Sequence, residues 1–367
     1  MKTNTKLNNI QVLRAFAALS VVVFHTGFAF PHLRNFGSYG VDVFFVISGY
    51  IMARILDDRL QPQLAPGQHA GDFFLRRRIL RIVPPYWFFT LLLFVVSLRV
   101  PALMGATRAS PTELVKSLLF IPFIKASGLA QPLLFVGWSL NYEMFFYLAL
   151  AIGVLFHKRF AFRLPSVTFG AALVLLTMLA CLPFRASNPI ADFYTRDISL
   201  EFLLGILSYY LCRAVSNAAA YRLRYSALAV VILSALLIVA LQAILPSTHI
   251  SRVLTLGVPS FFLITAASLL SQADWDTRLT SLVLIGDASY ILYLIHPYCE
   301  YSIDRILGLR HPWLRRETAT GAFIGVTLSV VLALLLHLYG ERPLVKFLNR
   351  NYGGKRKSAE FATPATP

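Results

Sequence analysis

The sequence predicts an all-α, polytopic membrane protein with about ten transmembrane helices and both termini in the cytoplasm. Composition is the first reason: 57% of the 367 residues are hydrophobic and 14% are charged, against roughly 25% charged in ordinary soluble proteins. Spacing is the second, because apolar runs of about 20 residues, the length that crosses a bilayer core, recur from residue 10 to residue 340. The third is where the basic residues fall. With the termini inside, 22 of the 34 Lys and Arg residues lie on that side, although Arg305, Arg310, Arg315 and Arg316 stand on the other.

Breaking the apolar windows at charge clusters gives spans at 10–30, 39–56, 83–100, 133–156, 164–184, 198–215, 225–245, 250–271, 279–297 and 318–340. The first carries Arg14 near its start and no small-residue cleavage pattern, so it reads as a retained helix and not a signal peptide. The basic loop 57–82 separates the second span from the third, and Pro84 and Pro85 break its last turn so that the third begins there. Basic residues within 157–163 close the fourth span, those within 213–224 separate the sixth from the seventh, and Arg278 precedes the ninth. Segment 113–124 is too short to cross and reads as interfacial or re-entrant. Residues 1–348 then form one transmembrane domain, followed by a disordered cytoplasmic tail, 349–367, that is polar and proline-containing. No loop is long enough for a soluble catalytic domain, so any chemistry belongs in the membrane.

Other classes drop out on the same reading. The formal charge of +17 comes without a basic arm, zinc spacing or recognition motif, which argues against nucleic acid as a partner. Cys181, Cys212 and Cys299 sit singly in or beside apolar runs, without metal or disulfide spacing, and read as packing residues. No metal site is expected.

Ionisable residues inside spans carry the functional signal, since each costs about 2.5–3.5 kcal/mol at a helix centre on translocon scales. Arg14 and His25 are eleven residues apart, three helical turns plus about 20°, so they share a face of the first span and line one shaft, ~16 Å apart along its axis. Glu143 falls near the middle of a span, one turn after Ser139. It must be protonated or paired with a cation such as Arg14 or His25. Arg78 and Arg81, three residues apart, aim two guanidiniums the same way, in the fork geometry that matches phosphate oxygens. Asp42 and His296 fall near the outer ends of their spans, where a polar substrate approaches. Gly49 and Gly286 are placed for close helix contact, and Asp287 has no assigned role.

The segments LRAFAALSVVVFH, GVDVFFVISGY, LRRRILRIVPPYW, VGWSLNYEMFFY and ASYILYLIHPY, in that order, resemble the acyltransferase-3 family of bacterial integral-membrane O-acyltransferases. The resemblance runs from about residue 8 to 343, where Glu341-Arg342-Pro343 also fits, and the opening NNIQVLRAFAALSVVVFH is most similar to the branch that acetylates exopolysaccharides. It implies transfer of an acyl group, usually acetyl, from acyl-CoA to a sugar hydroxyl of an exopolysaccharide, O-antigen or related surface glycan, lipid-linked or free, at the bacterial inner membrane. It marks Arg14 and His25 as the basic-residue and histidine pair of the first span, Arg78 and Arg81 as an Arg-x-x-Arg pair, and Glu143 as the buried acid after Trp138-Ser139. On this reading Arg14, Arg78 and Arg81 hold the acetyl-CoA phosphates at the cytoplasmic mouth. His25 acts in the outer half, as base or as nucleophile, and Glu143 orients its imidazole. Asp42, Trp138, Ser139 and His296 bind substrate. A transporter of a lipid-linked or small polar substrate is the rival class, and it lacks its usual mark here, a repeated half with paired broken helices.

Overall fold

The apolar windows fold as helices, and no strand forms among the described residues. The computed structural model describes residues 7–28, 36–56, 70–99, 110–125, 128–160, 166–244 and 251–352. Its α-helices in chain order are α1 (Asn8–Thr26), α2 (Gly40–Arg54), α3 (Ala70–Arg99), α4 (Pro111–Leu118), α5 (Trp138–Phe160), α6 (Ser166–Cys181), α7 (Pro189–Thr195), α8 (Ser199–Ala214), α9 (Asn217–Arg222), α10 (Arg224–Ile244), α11 (Val258–Gln272), α12 (Thr280–Asp287), α13 (Ser289–Ser302), α14 (Ala319–Leu336) and α15 (Arg342–Tyr352). Each of the ten expected windows coincides with one of these helices or with a helix pair.

Not every window gives a helix of full crossing length. Seven helical stretches among the described residues are long and apolar enough to cross a membrane, or up to eight if the bent pair α12 and α13 forms one span. The ninth window breaks after Asp287, where the chain bends by 73°. Two further windows fold as shorter helices: α2 has 15 residues and α8 has 16, about 23 Å against a ~30 Å hydrocarbon core. These two pack face to face inside the bundle. A Cβ on Gly49 of α2 would lie 2.0 Å from the Phe202 carbonyl oxygen, and one on Gly205 of α8 would lie 2.1 Å from that of Val46, so only glycine permits this approach of two backbones. Gly286 does the same for α1, since its Cβ would meet the Gln11 carbonyl oxygen at 1.9 Å.

The prolines of α3 also behave otherwise than expected. Pro84 and Pro85 lie inside one continuous helix of 30 residues and do not start a new one. The carbonyls that the two prolines leave without an intrahelical partner are those of Leu80 and Arg81; just beside them, Tyr290 of α13 donates to the Ile82 carbonyl at 2.6 Å and ties α3 to α13. Short α4, capped by Ser110, which accepts from the Glu113 amide at 3.1 Å, cannot span; Trp87 and Tyr86 of α3 hold it by donating to the Leu118 and Ser117 carbonyls.

The core lies around α1, α2, α5, α8, α11 and α13, where Val22, Val46, Phe146, Phe202, Ile264 and Leu294 are fully buried. Outward, α6 and α10 present Leu175, Leu176, Leu179, Leu233 and Leu236, a surface suited to lipid. Helix α15 continues through Tyr352, so residues 349–352 are helical; the remainder of the expected tail lies outside the described residues.

Candidate active site

Two helices bring the membrane arginines to one cavity. On α1, Arg14 donates to the Ser289 hydroxyl at the start of α13, at 2.9 Å. On α3, the three-residue spacing turns Arg78 and Arg81 to the same side, and both line the cavity with Arg14. Among the described residues, no hydrogen bond or ion pair holds the guanidinium of Arg78 or of Arg81. Their donors remain available for an anion.

Helix α5 supplies the opposite charge. Glu143 lines the same cavity and accepts hydrogen bonds from the Ser48 hydroxyl of α2, at 3.2 Å, and from the Tyr147 hydroxyl one turn further along its own helix. Arg14 and Arg78 attract it across the cavity without forming an ion pair. The sequence left open whether this acid is protonated or bound to a cation; among the described residues no ion pair holds it, and two hydroxyls donate to one of its oxygens. One turn before it, Ser139 also faces the cavity and lies 2.9 Å from the Tyr293 hydroxyl of α13. Tyr293 in turn donates to the Val136 carbonyl at 3.0 Å.

Tyr293 marks the far end, and beyond it stand two histidines. Its ring is 6.0 Å from that of His296, and the His296 ring is 5.0 Å from that of His25. His296 Nε2 lies 3.3 Å from His25 Nδ1. His25 Nδ1 is also 2.9 Å from the Val21 carbonyl, one turn back on α1. Phe24 and Phe135 flank the ring at 5.1 and 5.2 Å between centroids. Gly27, at φ +73°, ends α1 two residues later, in a left-handed conformation that favours glycine. Arg316 reaches in from the loop before α14 and donates to the His25 carbonyl at 3.2 Å, with its guanidinium 4.9 Å from the Tyr301 ring.

The expected site residues therefore divide into three sets. Arg14, Arg78, Arg81, Ser139 and Glu143 share the cavity, and His25 joins His296 just past its end. Two corrections follow from the geometry. Glu143 does not contact His25, whose ring nitrogen faces Val21 and His296, so the acid is not what orients the imidazole. Asp42 is not in the cavity: fully buried, it receives both Nε and Nη2 of Arg252 at 2.7 and 2.6 Å, and Arg252 also donates to the Ser38 carbonyl. Trp138 faces a second depression, which it shares with Arg185, Arg196, Asp197 and Arg252. Asp287 accepts from Arg342 at 3.3 Å. Among the described residues, no group of three or more His, Cys, Asp or Glu side chains is placed to hold a metal ion.

Sequence reasoning did not single out Ser48, Tyr147, Tyr290, Tyr293 or Arg316. For the α13 set a signal was present. Tyr290, Tyr293 and His296 recur every third residue, which keeps them on one side of a helix. Arg316 had none, because its partner is a backbone carbonyl 291 positions away.

Comparison with known proteins adds the following. Residues 7–338 match the family model described as the acyltransferase domain. The chain is 32% identical over 333 residues to the exopolysaccharide production protein ExoZ of Rhizobium meliloti, a match covering 89% of this chain and 95% of that protein. It is 26% identical over 406 residues to the acyltransferase MdmB of Streptomyces mycarofaciens, covering 98% and 96% of the two chains. A putative peptidoglycan O-acetyltransferase of Bacillus subtilis, YrhL, matches at 30% identity over 53% of this chain and 31% of its own. No solved structure matches.

Proposed function

Since the chain belongs to the acyltransferase domain family and is a multi-pass membrane acyltransferase, we propose that it moves an acetyl group from cytoplasmic acetyl-CoA to a sugar hydroxyl of an exopolysaccharide or related surface glycan. The exopolysaccharide assignment rests on the name of the relative matched over nearly its full length. The observation that carries the mechanism is the layout: unengaged guanidiniums at one end of a cavity, and a histidine pair past the other.

Arg78 and Arg81 clamp phosphate oxygens of the donor in bidentate fashion, and Arg14, tethered to Ser289, adds a third cation. The thioester arm follows the cavity past Glu143 toward Ser139 and Tyr293. His25 in its neutral form takes the proton of the sugar hydroxyl as its oxygen attacks the thioester carbonyl; the carbon–sulfur bond then breaks and CoA leaves as the thiol, carrying that proton away from His25. Glu143 supplies the counter-charge that keeps three cations together in the membrane. The donor's charged nucleotide stays at the mouth, where the guanidiniums replace the water that its phosphates give up.

The proposed topology has ten crossings, with α2 and α8 as short inner spans and α12 with α13 as one broken span. Both termini are cytoplasmic, the membrane is the bacterial inner membrane, and residues 1–348 form the catalytic domain ahead of the tail. Arg14, Arg78 and Arg81 then face the cytoplasm, and His25 and His296 face outward. The test is transfer of labelled acetyl from acetyl-CoA to polysaccharide extracted from cells lacking the protein, in membranes with and without it. Equal labelling in both would refute the proposal.

A further inference from the structure

The two histidines make contacts that fix their protons. His296 Nδ1 lies 3.2 Å from the Leu292 carbonyl, one turn back on α13. A carbonyl only accepts, so Nδ1 carries the hydrogen, and in a neutral imidazole the other nitrogen, Nε2, is then an acceptor. That acceptor points at His25 Nδ1, 3.3 Å away. His25 Nδ1 also faces the Val21 carbonyl at 2.9 Å. Both neighbours of His25 Nδ1 are acceptors, so this nitrogen too carries its hydrogen, shared between them. The lone pair of His25 is left on Nε2, the nitrogen that no described residue engages.

We infer that His296 is a positioning residue for the acyl transfer: by accepting from His25 Nδ1 it holds the imidazole in the tautomer and orientation that present Nε2 to the sugar hydroxyl. The inference rests on the proposed role of His25 as base. In hydrolases of the serine type a carboxylate makes the contact to Nδ1; here the Val21 carbonyl and a neutral imidazole share it. An uncharged acceptor suits this place, because His296 is fully buried and a second unpaired charge within the membrane is avoided. His296 is itself fixed from behind by Leu292. It can therefore turn neither away from His25 nor into the other tautomer without losing a bond.

The roles that His296 could have make different kinetic predictions. A residue that binds the acceptor moves its KM; one that only packs moves the amount of folded protein; a positioning residue moves kcat per folded molecule. The experiment uses the full chain in membrane vesicles with labelled acetyl-CoA and polysaccharide extracted from cells lacking the protein, with rates normalised to inserted protein. His296→Phe keeps the ring and removes the acceptor. It is expected to lower kcat roughly 100-fold, with the KM for acetyl-CoA and for polysaccharide changed less than about threefold. His296→Gln places an amide oxygen where Nε2 lies and is expected to recover at least about tenfold of that loss. His296→Asn, whose oxygen reaches only the Nδ1 position, should recover none; should His296→Phe fail to insert, the Gln and Asn variants decide alone. Wild-type kcat in His296→Phe, equal kcat in the Gln and Asn variants, or a rise confined to the KM for polysaccharide would overturn the inference. A His25→Ala variant run alongside separates the two levels: if it is active, the proposed role of His25 fails, whereas His25→Ala inactive with His296→Phe fully active removes only the role of His296.

Discussion

Two regions of the bundle place arginine and a carboxylate inside membrane helices, and they treat them in opposite ways. At Asp42 and Arg252 the two charges are spent on each other: the fork of the guanidinium meets both carboxylate oxygens, and the acid is fully buried even though Arg252 also borders the depression at Trp138. Around Arg14, Arg78, Arg81 and Glu143 the carboxylate is held by hydroxyls, and two of the three guanidiniums have no hydrogen-bonding partner among the described residues. The cost of burying charge applies to both. What separates them is unused bonding capacity beside a cavity. A buried charge by itself marks no active site; a buried charge whose donors face open space does.

That contrast breaks or holds on substitutions. The largest effect is expected at the end of the cavity path, where His25→Ala should lower transfer about 10³-fold or more with the inserted amount unchanged, as measured by labelled acetyl incorporation per molecule. Next comes the structural pair. Asp42→Ala removes the carboxylate that Arg252 grips and leaves the part-exposed guanidinium to Glu201 and water; it should destabilise the protein by about 1–3 kcal/mol, visible as a fall in Tm and in inserted protein, with the rate per surviving molecule unchanged. Replacing both partners, Asp42→Leu with Arg252→Met, should restore much of that stability. In the cavity the pattern inverts: Glu143→Gln keeps the shape and the hydroxyl partners but removes the counter-charge that holds Arg14, Arg78 and Arg81 in place for the donor, and should lower transfer roughly 100-fold at nearly wild-type Tm. The smallest effects belong to Arg78→Ala and Arg81→Ala, each raising the KM for acetyl-CoA about tenfold. Lys at either position should recover only part, for want of the guanidinium fork. If Asp42→Ala abolishes transfer without loss of Tm, the division into structural and functional charges is wrong.

Much of this was legible in the sequence, and the limits have physical causes. Helices were readable from apolar length, and Arg14, Arg78, Arg81, Glu143 and His25 from the energy of placing charge in lipid. Length of crossing was not readable, because apolar composition does not distinguish α2 and α8, two short helices packed closely at Gly49 and Gly205, from longer helices that face lipid. The Pro84-Pro85 pair misled because proline inside a membrane helix is tolerated where packing against other helices holds it, and that packing is not written in the local sequence. Asp42 misled in the same way: one helix shows a charge and not its partner, Arg252, 210 positions on. Polar groups with local contacts, such as Ser139 and Glu143 one turn apart, are written in spacing. Those whose partners come from other helices are visible only once the helices are packed.

The central claim is that donor and acceptor meet from opposite ends of one path, and sealed vesicles of known orientation test it directly. Acetyl-CoA does not cross the membrane, so it reaches only the face to which it is added. The account predicts acetylated glycan only when acetyl-CoA is added on the face of Arg278 and α15, with product appearing on the face of His311 and the loop before α14. Transfer with acetyl-CoA and glycan both confined to the face of His311 would contradict it.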